Sequence, residues 1–299
     1  MASLKIKGVN KKTWVDYLIV ILLIVIIFIT FYPFWNVLIL SLNDPTDALK
    51  GRLWIWPRAW TFNNYIHFFE QEIFLNALFI SIMRTVIGTI ASVLFTSAFA
   101  YGISKKYLRG QKIYIAMMML TMYISGGLIP TFLVIQGLGL YQKFLVYIIP
   151  TMFSSYYALI MFTYFKTFPK DLEESVKIDG GNDFVVFFRI VFPLSKPIIA
   201  TIALFNAVGQ WNSWFDTLLY GGTKLMTLQA LLVTIIRDIQ QAQELLKSGQ
   251  LAQNYTLYKP TIESVKATAM MITAIPIIMI YPFLQKYFVK GIMIGSLKG

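Results

Sequence analysis

The stretch from Lys166 to Pro197, KTFPKDLEESVKIDGGNDFVVFFRIVFPLSKP, is a polar segment in a strongly apolar chain. Five acidic residues lie within 13 positions of it, at Asp171, Glu173, Glu174, Asp179 and Asp183. Because acidic side chains are costly in hydrocarbon, the segment must protrude into water between two membrane spans. The segment reads as a helix, a pair of glycines and a second helix. This pattern predicts a surface that contacts another part of the protein or a partner.

The composition of the whole chain indicates an integral membrane protein. Of its 299 residues, 57% are hydrophobic and 13% are charged, whereas an ordinary soluble domain has about 25% charged residues. The chain has no cysteine, which excludes a disulfide framework, a thiol nucleophile and a cysteine metal site. With His67 as the single histidine, no histidine cluster is available either. We therefore expect no metal and no cofactor in this chain.

Apolar runs predict an all-α integral membrane protein with six transmembrane helices in one domain over residues 1–299. Each run is long enough to cross roughly 30 Å of hydrocarbon. The predicted spans are 17–42, 73–100, 113–135, 144–165, 195–216 and 263–284. The first run is too long for a signal peptide and is expected to remain as an anchor. Gly126, Gly127 and Pro130 predict a break in the third span, either as a packing kink or as the lining of a transport cavity.

Lysine and arginine are unequally divided between the two sets of loops. Sixteen lie near the termini and in the loops around 105–112 and 166–197, and eight lie in the opposite loops. Because cytoplasmic loops are enriched in basic residues, both termini and the polar segment are predicted to be cytoplasmic. The net charge of +12 is therefore mainly a topology signal, and no nucleic-acid partner is expected.

The chain has no visible energy source of its own. The phosphate-binding pattern G-x-x-x-x-G-K-[ST] is absent. Two alternatives to an externally driven transporter are a secondary transporter, which needs buried charges or inverted repeats, and a membrane-embedded glycan enzyme, which needs clustered acids or histidines. Charges within the spans are interpreted as lying close to span ends, so buried charges are not expected. They are Arg84, Asp216, Glu263 and Lys266.

Local signals divide the polar segment into two short helices. Pro169 suits a first helical turn, and the acids after it complement the helix dipole. Gly180 and Gly181 supply the left-handed geometry that ends a helix, and Asn182 or Asp183 is the predicted N-cap of a second helix, FVVFFRI. The apolar residues either pack against the protein's own helix ends or dock into a groove on a partner. These residues are Leu172, Val176, Phe184, Phe187 and Phe188.

The same segment resembles the signature of the permeases of bacterial ATP-binding-cassette importers, E-A-A-x3-G-x9-I-x-L-P. The glutamate, glycine, isoleucine and proline are in register, whereas serine and valine replace the alanines and phenylalanine replaces the leucine. The signature positions are held by Glu174, Ser175, Val176, Gly180, Ile190, Phe192 and Pro193. The resemblance assigns eight residues to coupling with an ATPase: Glu174, Ser175, Val176, Asp179, Gly180, Gly181, Ile190 and Pro193.

The resemblance extends over most of the chain. The six spans, the outward loop 217–262 and the C-terminal GIMIGSLKG are similar to the maltose-type carbohydrate permeases. The segment 125–150 is similar to the lipoprotein-linked polysaccharide permeases, a subgroup associated with complex or acidic oligosaccharides. The resemblance implies a type I importer permease fold with a cytoplasmic coupling helix within 166–193. It also implies import of a complex or acidic oligosaccharide without covalent chemistry in this chain, which is therefore not an enzyme.

The resemblance implies the partners as well. A cytoplasmic ATPase dimer would receive the coupling helix and hold ATP and magnesium. A second, related permease would complete the pore, and a solute-binding protein outside would deliver the oligosaccharide. Residues 295–299 would reach towards the ATPase dimer, and the loop 217–262 would contact the solute-binding protein. The chain would lie in the cell membrane as a multi-pass protein.

Polar residues of the predicted fifth span recur at a spacing that places them on one helical face. From position 206 the intervals are four, three and four residues, ending at Thr217. Because sugars are bound by aromatic faces and by amide groups, this face is a candidate lining of the substrate path. The alternative is that the polar side chains hold helices together, as is common in membranes. The candidate path residues are Asn206, Gln210, Trp211, Ser213 and Trp214.

Overall fold

The computed structural model describes residues 14–48, 50–169, 171–248 and 259–296. In this part of the chain the regular structure is helical, and an isolated antiparallel bridge joins Asn43 to Trp60. Contacts divide the chain into two compact units. Residues 1–67 and 245–271 form the first unit, and residues 68–244 and 272–299 form the second. The single domain expected from the sequence stays a prediction.

The helices are numbered in chain order. Their bounds are α1 Trp14–Ser41, α2 Pro45–Ala48, α3 Asn63–Glu70, α4 Glu72–Ser104, α5 Gln111–Tyr123, α6 Leu128–Gly137, α7 Ser155–Phe165, α8 Asp171–Ile178, α9 Asp183–Val186, α10 Phe192–Leu194, α11 Lys196–Asn212, α12 Leu228–Lys247 and α13 Lys259–Ser296. A 3-10 turn lies at Phe144–Tyr147, and π turns lie at Phe187–Val191 and Thr217–Gly221.

Several of these helices have the length and composition of membrane spans. Among the described residues, three helices are each long and apolar enough to cross a membrane: α1, α4 and the part of α13 from Glu263 to Pro282. Two pairs of helices meet the same criterion only when each pair is taken together. The bend between α5 and α6 is 119°, and the bend between Asp183–Leu194 and α11 is 82°. The described residues thus contain three candidate spans, or five if each bent pair is one span. A multi-pass membrane protein is confirmed, and the count of six stays a prediction.

The predicted third span is interrupted where its glycines lie. The helix α5 ends at Tyr123, and α6 begins at Leu128. Between them Gly127 has a φ of 81°, a backbone conformation that is accessible to glycine and costly for most other residues. The glycine therefore lets the chain turn through a large angle, and the predicted break is confirmed.

The predicted fourth span, 144–165, contains two separate elements. A 3-10 turn lies at its start, and the regular helix α7 begins only at Ser155. The Ser154 hydroxyl caps this helix by accepting a hydrogen bond from the Tyr157 amide at 3.4 Å. The 11 residues of α7 span about 17 Å at 1.5 Å per residue. The structure therefore has no unbroken helix of membrane-crossing length over these residues.

The second unit is built around α4, which packs against α7 and α11. Small residues occupy the buried side of α4, so that neighbouring helices approach closely. They are Ala77, Ser81, Gly88, Ser92, Thr96, Ser97 and Ala100. At Gly88 an added Cβ would lie 2.8 Å from the Gln210 amide nitrogen on α11. The fit between α4 and α11 therefore depends on the absence of a side chain there.

The first unit contains a folded loop after α1 that two asparagines hold together. The Asn43 side chain is fully buried, and its Oδ1 accepts hydrogen bonds from the Arg58 amide at 2.9 Å and the Ala59 amide at 3.0 Å. Asn64 Nδ2 donates to the carbonyls of Ser41 at 2.9 Å and Asn43 at 3.0 Å. The loop is thus ordered by buried amide groups, while Trp54, Trp56 and Trp60 remain exposed on it.

Replacing Asn43 by leucine is expected to open this loop. The substitution removes the acceptor of two backbone N–H groups, and each orphaned group costs about 1–3 kcal/mol. Trypsin should therefore cleave between residues 50 and 58 faster than in the wild-type protein, as followed by mass spectrometry. Asn63→Leu is the matched control, because Asn63 is exposed. Equal cleavage rates for both variants would contradict the role assigned to Asn43.

Candidate functional site

The polar segment folds as two short helices joined by the glycine pair. Gly180 follows α8 with a φ of 82°, and the Gly181 amide donates to the Val176 carbonyl at 2.8 Å, as in a left-handed helix terminus. An added Cβ on Gly181 would lie 2.5 Å from Val176 Cγ1 and 2.9 Å from its carbonyl oxygen. The predicted order of helix, double glycine and helix is confirmed.

The second part of the segment begins as expected and then departs from a regular helix. The Val185 amide donates to Asn182 Oδ1 at 3.0 Å, so Asn182 is the N-cap. The π turn at Phe187–Val191 separates α9 from α10, which corrects the expectation of one short helix. It places Phe187 in the core, with its ring 5.2 Å from that of Tyr101. Such turns depend on packing, which the local sequence does not reveal.

The apolar side chains of the segment are divided between the interior and the surface. Phe187 is buried, and Val176 packs against the same core. By contrast, Ile178, Phe184 and Phe188 are 85%, 74% and 54% exposed. Packing on the protein itself therefore holds for one side of the segment. The other side leaves apolar side chains exposed, and their docking on a partner stays a prediction.

A buried lysine holds α8 to the end of α4. Lys105 directly follows α4 and is 7% exposed. Its Nζ lies 2.5 Å from Glu173 Oε2 and 3.7 Å from the centre of the Tyr101 ring. Burial lowers the pKa of Lys105, and the hydrogen bond to Glu173 opposes that change. Separation of the pair would leave each charge poorly solvated, which is costly. The pair therefore holds α8 against the end of α4.

A second polar contact holds the start of α9 to the loop after α4. Tyr107 Oη donates to Asp183 Oδ2 at 2.6 Å, and Lys177 Nζ lies 2.9 Å from Asp183 Oδ1. The hydrogen bond from Tyr107 is the main cause that lowers the pKa of Asp183. Both short helices are therefore attached to the region that follows α4.

The two neighbouring glutamates of α8 differ in their surroundings. Glu173 is paired with Lys105, whereas Glu174, at the signature position, is exposed. The other predicted coupling residues divide in the same way between surface and interior. Ser175, Asp179, Gly180 and Pro193 are exposed, and Val176, Gly181 and Ile190 are half-buried. Two parts of the predicted ATPase contact, residue 170 and residues 297–299, lie outside the described residues.

A buried guanidinium joins several segments of the second unit. Arg84, on α4, is 1% exposed. Its Nε donates to Gln210 Oε1 at 2.9 Å, and its Nη1 donates to Asp216 Oδ1 at 3.1 Å and to Thr217 Oγ1 at 3.2 Å. Nη2 forms an ion pair with Asp216 Oδ2. The guanidinium also lies over the Tyr147 ring, 4.5 Å from its centre.

This ion pair corrects an expectation from the sequence. Arg84 and Asp216 were expected to lie near span ends, and no buried charge was expected. In the structure Arg84 is buried well inside α4. One arginine changes the mean hydropathy of a helix as long as α4 very little, so the mean does not reveal a buried charge. The informative signal was the presence of one base and one acid in two otherwise apolar segments, since buried charges in membranes are commonly paired.

The candidate substrate-path residues are only partly brought together. The helix α11 ends at Asn212, so the predicted face does not continue to Thr217 as one helix. Asn206, Gln210 and Ser213 do line a common cavity of about 190 Å³. This cavity is also lined by Arg84, Thr151, Tyr157, Phe205 and Gly209, which are not among the five candidate path residues.

The two candidate tryptophans lie outside this lining. Trp211 borders a separate apolar cavity with Leu204 and Pro276, and its indole Nε1 donates to the Thr273 carbonyl at 2.9 Å. Trp214 is 39% exposed, and its ring packs edge-on against Phe215. In the structure Trp211 is therefore a packing residue between helices, which is the alternative that the sequence left open for this face.

Comparison with known proteins identifies the family. A family model described as the inner membrane component of binding-protein-dependent transport systems matches residues 109–294. The chain belongs to this family. The resemblance expected from the signature is thereby confirmed, and the permease is a component of a transport system rather than an enzyme.

Individual relatives of the permease cover nearly its whole length. The Protein LplC of Bacillus subtilis is 37% identical, with 91% of this chain and 90% of that protein covered. The polygalacturonan/rhamnogalacturonan transport system permease protein YtcP of the same organism is 35% identical, with coverage of 97% and 100%. A chain from a bacterial ABC transporter involved in the import of the acidic polysaccharide alginate has a TM-score of 0.82 and 26% identity, with 93% and 99% covered.

Breaking the Arg84–Asp216 pair is expected to destabilise the permease. Arg84→Met leaves the Asp216 carboxylate without its counter-ion, and loss of one member of a buried pair costs about 3–5 kcal/mol. Adding Asp216→Asn removes the stranded charge and should restore part of the loss. Thermal unfolding of the purified protein in detergent measures both effects. Arg109→Met, at an exposed position, is the control, and equal losses in the single and double variants would contradict the pairing.

Proposed function

We propose that this permease carries carbohydrate, and that residues 166–193 are its coupling element for a cytoplasmic ATPase dimer. The observation that carries the coupling proposal is the division of the segment into two sides. Lys105 and Tyr107 anchor one side, and exposed apolar side chains lie on the other next to the exposed Glu174. An amphipathic helix of this kind suits a groove on a partner.

The relatives support the substrate class. YtcP is named as a transport permease for polygalacturonan and rhamnogalacturonan, and the alginate transporter is described as importing an acidic polysaccharide. Both are complex acidic glycans. A complex or acidic oligosaccharide is therefore the proposed cargo.

The remaining partners and the topology complete the proposal. A second, related permease forms the other half of the pore, and an external solute-binding protein delivers the cargo to the loop 217–262, of which residues 217–248 and 259–262 are described. The ATPase subunits bind ATP and magnesium. In the proposed topology one domain crosses the membrane six times. Both termini and residues 166–193 then lie in the cytoplasm.

The contacts suggest how movement would pass from the ATPase into the pore. Closure of the ATPase dimer displaces α8, and the Glu173–Lys105 pair transmits the displacement to α4. The same helix carries Arg84, which holds the segment that follows α11. Because packed helices move as rigid elements, a shift at one end of α4 alters the packing at Arg84. This coupling would alternate access to the substrate path.

A secondary transporter was the alternative that required buried charges. The Arg84–Asp216 pair is of that type, but the family is one of transport components that depend on binding proteins. Proteoliposomes that contain the permease with its partner permease, ATPase and binding protein decide between the two. We expect uptake of labelled oligogalacturonide only with ATP at the ATPase side. Uptake driven by an ion gradient without ATP would refute the proposed function.

The turn at Gly180 is expected to be needed for coupling. Gly180→Val places a β-branched residue at a φ of 82°, a conformation it strongly disfavours, although the space around an added Cβ is open. The variant complex should hydrolyse ATP while transporting about tenfold less, as a change of about 1.4 kcal/mol would give. Gly180→Asn is the control, because asparagine tolerates this conformation better. Normal transport by Gly180→Val would argue against the coupling role.

The Lys105–Glu173 contact is expected to transmit the movement. Lys105→Met and Glu173→Gln should each lower the amount of sugar transported per ATP hydrolysed, and the double variant should lose less than the two single losses combined, because both remove the same contact. Lys106→Met and Glu174→Gln form the comparison pair, since both residues are exposed and their effects should combine independently. Independent effects for the first pair would remove Lys105 and Glu173 from the transmission path.

A further inference from the structure

We propose that a groove beside α1 binds one anionic phospholipid, with an acyl chain in the groove and the head group at Arg52. The groove lies within the first unit and encloses about 950 Å³, and ligand pockets typically enclose about 300–1,000 Å³. It is lined by side chains of α1 between Phe28 and Trp35 and by Trp54 and Ile55 of the loop that follows. Lipid binding here is independent of the proposed cargo, because it requires only that the chain lies in a membrane.

Two hydrogen bonds hold the second wall of the groove in place. Trp35 Nε1 donates to the Ile55 carbonyl at 2.9 Å, and Asn36 Nδ2 donates to the Leu53 carbonyl at 2.7 Å. The loop therefore returns along α1, and residues 53–55 form a fixed wall beside the helix. A groove that exists before its ligand arrives lowers the cost of binding, since less of the protein has to be ordered.

The face of α1 that borders the groove is left uncovered by the described residues. The most apolar part of α1 contains no buried residue, whereas 33% of the corresponding part of α4 is buried. At the groove itself Phe28 and Ile29 are 71% and 67% exposed. In a membrane such a surface is covered either by lipid or by a helix of another protein, and the rim of the groove distinguishes between these two occupants.

Exposed tryptophans locate the rim of the groove at the membrane surface. Trp54, Trp56 and Trp60 are exposed on the loop, and tryptophan is enriched where the hydrocarbon meets the head groups. From Trp35 to Phe28 the groove then extends about 11 Å into the hydrocarbon at the rise of an α-helix, which is about a third of the roughly 30 Å thickness. This depth suits the part of an acyl chain that adjoins the head group.

Arg52 provides a cation at this rim. Leu53 is buried, whereas Arg52 and Trp54 on either side of it are exposed, so both lie on the outer side of the loop. The neighbouring Arg58 is paired with Asp47, but Arg52 is in no ion pair within the part of the chain that the structure describes. Basic residues at a membrane surface attract anionic lipids. A head group with a net negative charge therefore complements Arg52, whereas the apolar side chains of a partner helix would leave it unpaired.

Lipid retained by the purified transporter tests the head-group contact. The transporter that contains this permease is placed in nanodiscs of phosphatidylcholine with a minor fraction of phosphatidylglycerol, extracted in mild detergent and analysed by native mass spectrometry. The wild type should retain phosphatidylglycerol in preference to phosphatidylcholine, and absence of this preference would overturn the site. Arg52→Gln should lower the preference about fivefold, since one basic residue contributes about 1 kcal/mol to the binding of anionic lipid. Arg237→Gln, at an exposed position on α12, is the matched control and should keep the preference.

A second pair of variants tests the acyl-chain contact independently. Trp54→Ala removes a wall of the groove and should lose most of the retained phosphatidylglycerol. Trp60→Ala should retain it, because Trp60 is an exposed residue of the same loop that does not line the groove. Equal retention by these two variants, or an unchanged preference in Arg52→Gln, would overturn the site.

A photoreactive residue in place of Ile29 identifies the occupant directly. Ile29 lines the groove, so the photoreactive group should cross-link to phosphatidylglycerol in the nanodisc. Cross-linking to the partner permease instead would show that a protein helix fills the groove, and it would overturn the lipid site. None of these measurements uses uptake of a cargo, so their outcome is separate from that of the proposed function.

Discussion

A guanidinium inside an apolar helix must be neutralised and hydrogen-bonded, and the second unit is arranged around that requirement. Arg84 is held by Gln210 from α11 and by Asp216 from the turn that follows it. For these groups to converge, α11 has to end at Asn212, and the chain must continue as a turn. Irregular backbone at membrane depth is tolerated where it is buried in protein or lines a cavity. In this segment Thr217 is buried and Ser213 lines the cavity.

The same helix carries the second polar anchor. Lys105 follows the end of α4 and lies 21 residues after Arg84, a separation of about 32 Å at the rise of an α-helix. One contact holds the polar segment, and the other holds the border of the cavity. A helix is stiff over this length, so neither anchor can shift along the helix axis without the other. This geometry joins the polar segment at one end of α4 to the border of the cavity further along it.

Features that depend on local chemistry were predictable from the sequence. Gly127 broke the third span, Gly180 ended α8 and Asn182 capped α9, because backbone conformation and capping are set by neighbouring residues. The π turn at Phe187–Val191 and the packing of Trp211 were not predictable, since both depend on side chains distant in sequence. The spacing at Asn206 and Gln210 did indicate the cavity, but its aromatic side came from Tyr157 on another helix.

The pairing of Arg84 with Asp216 leaves the wall of the cavity beside α11 without a free charge from this arginine. If the Arg84 charge were free, it would attract carboxylates strongly in a low-dielectric surrounding, and release of the cargo would be slow. Pairing with Asp216 removes that attraction and leaves hydrogen bonds of moderate strength. A transport path must bind its cargo weakly enough to release it.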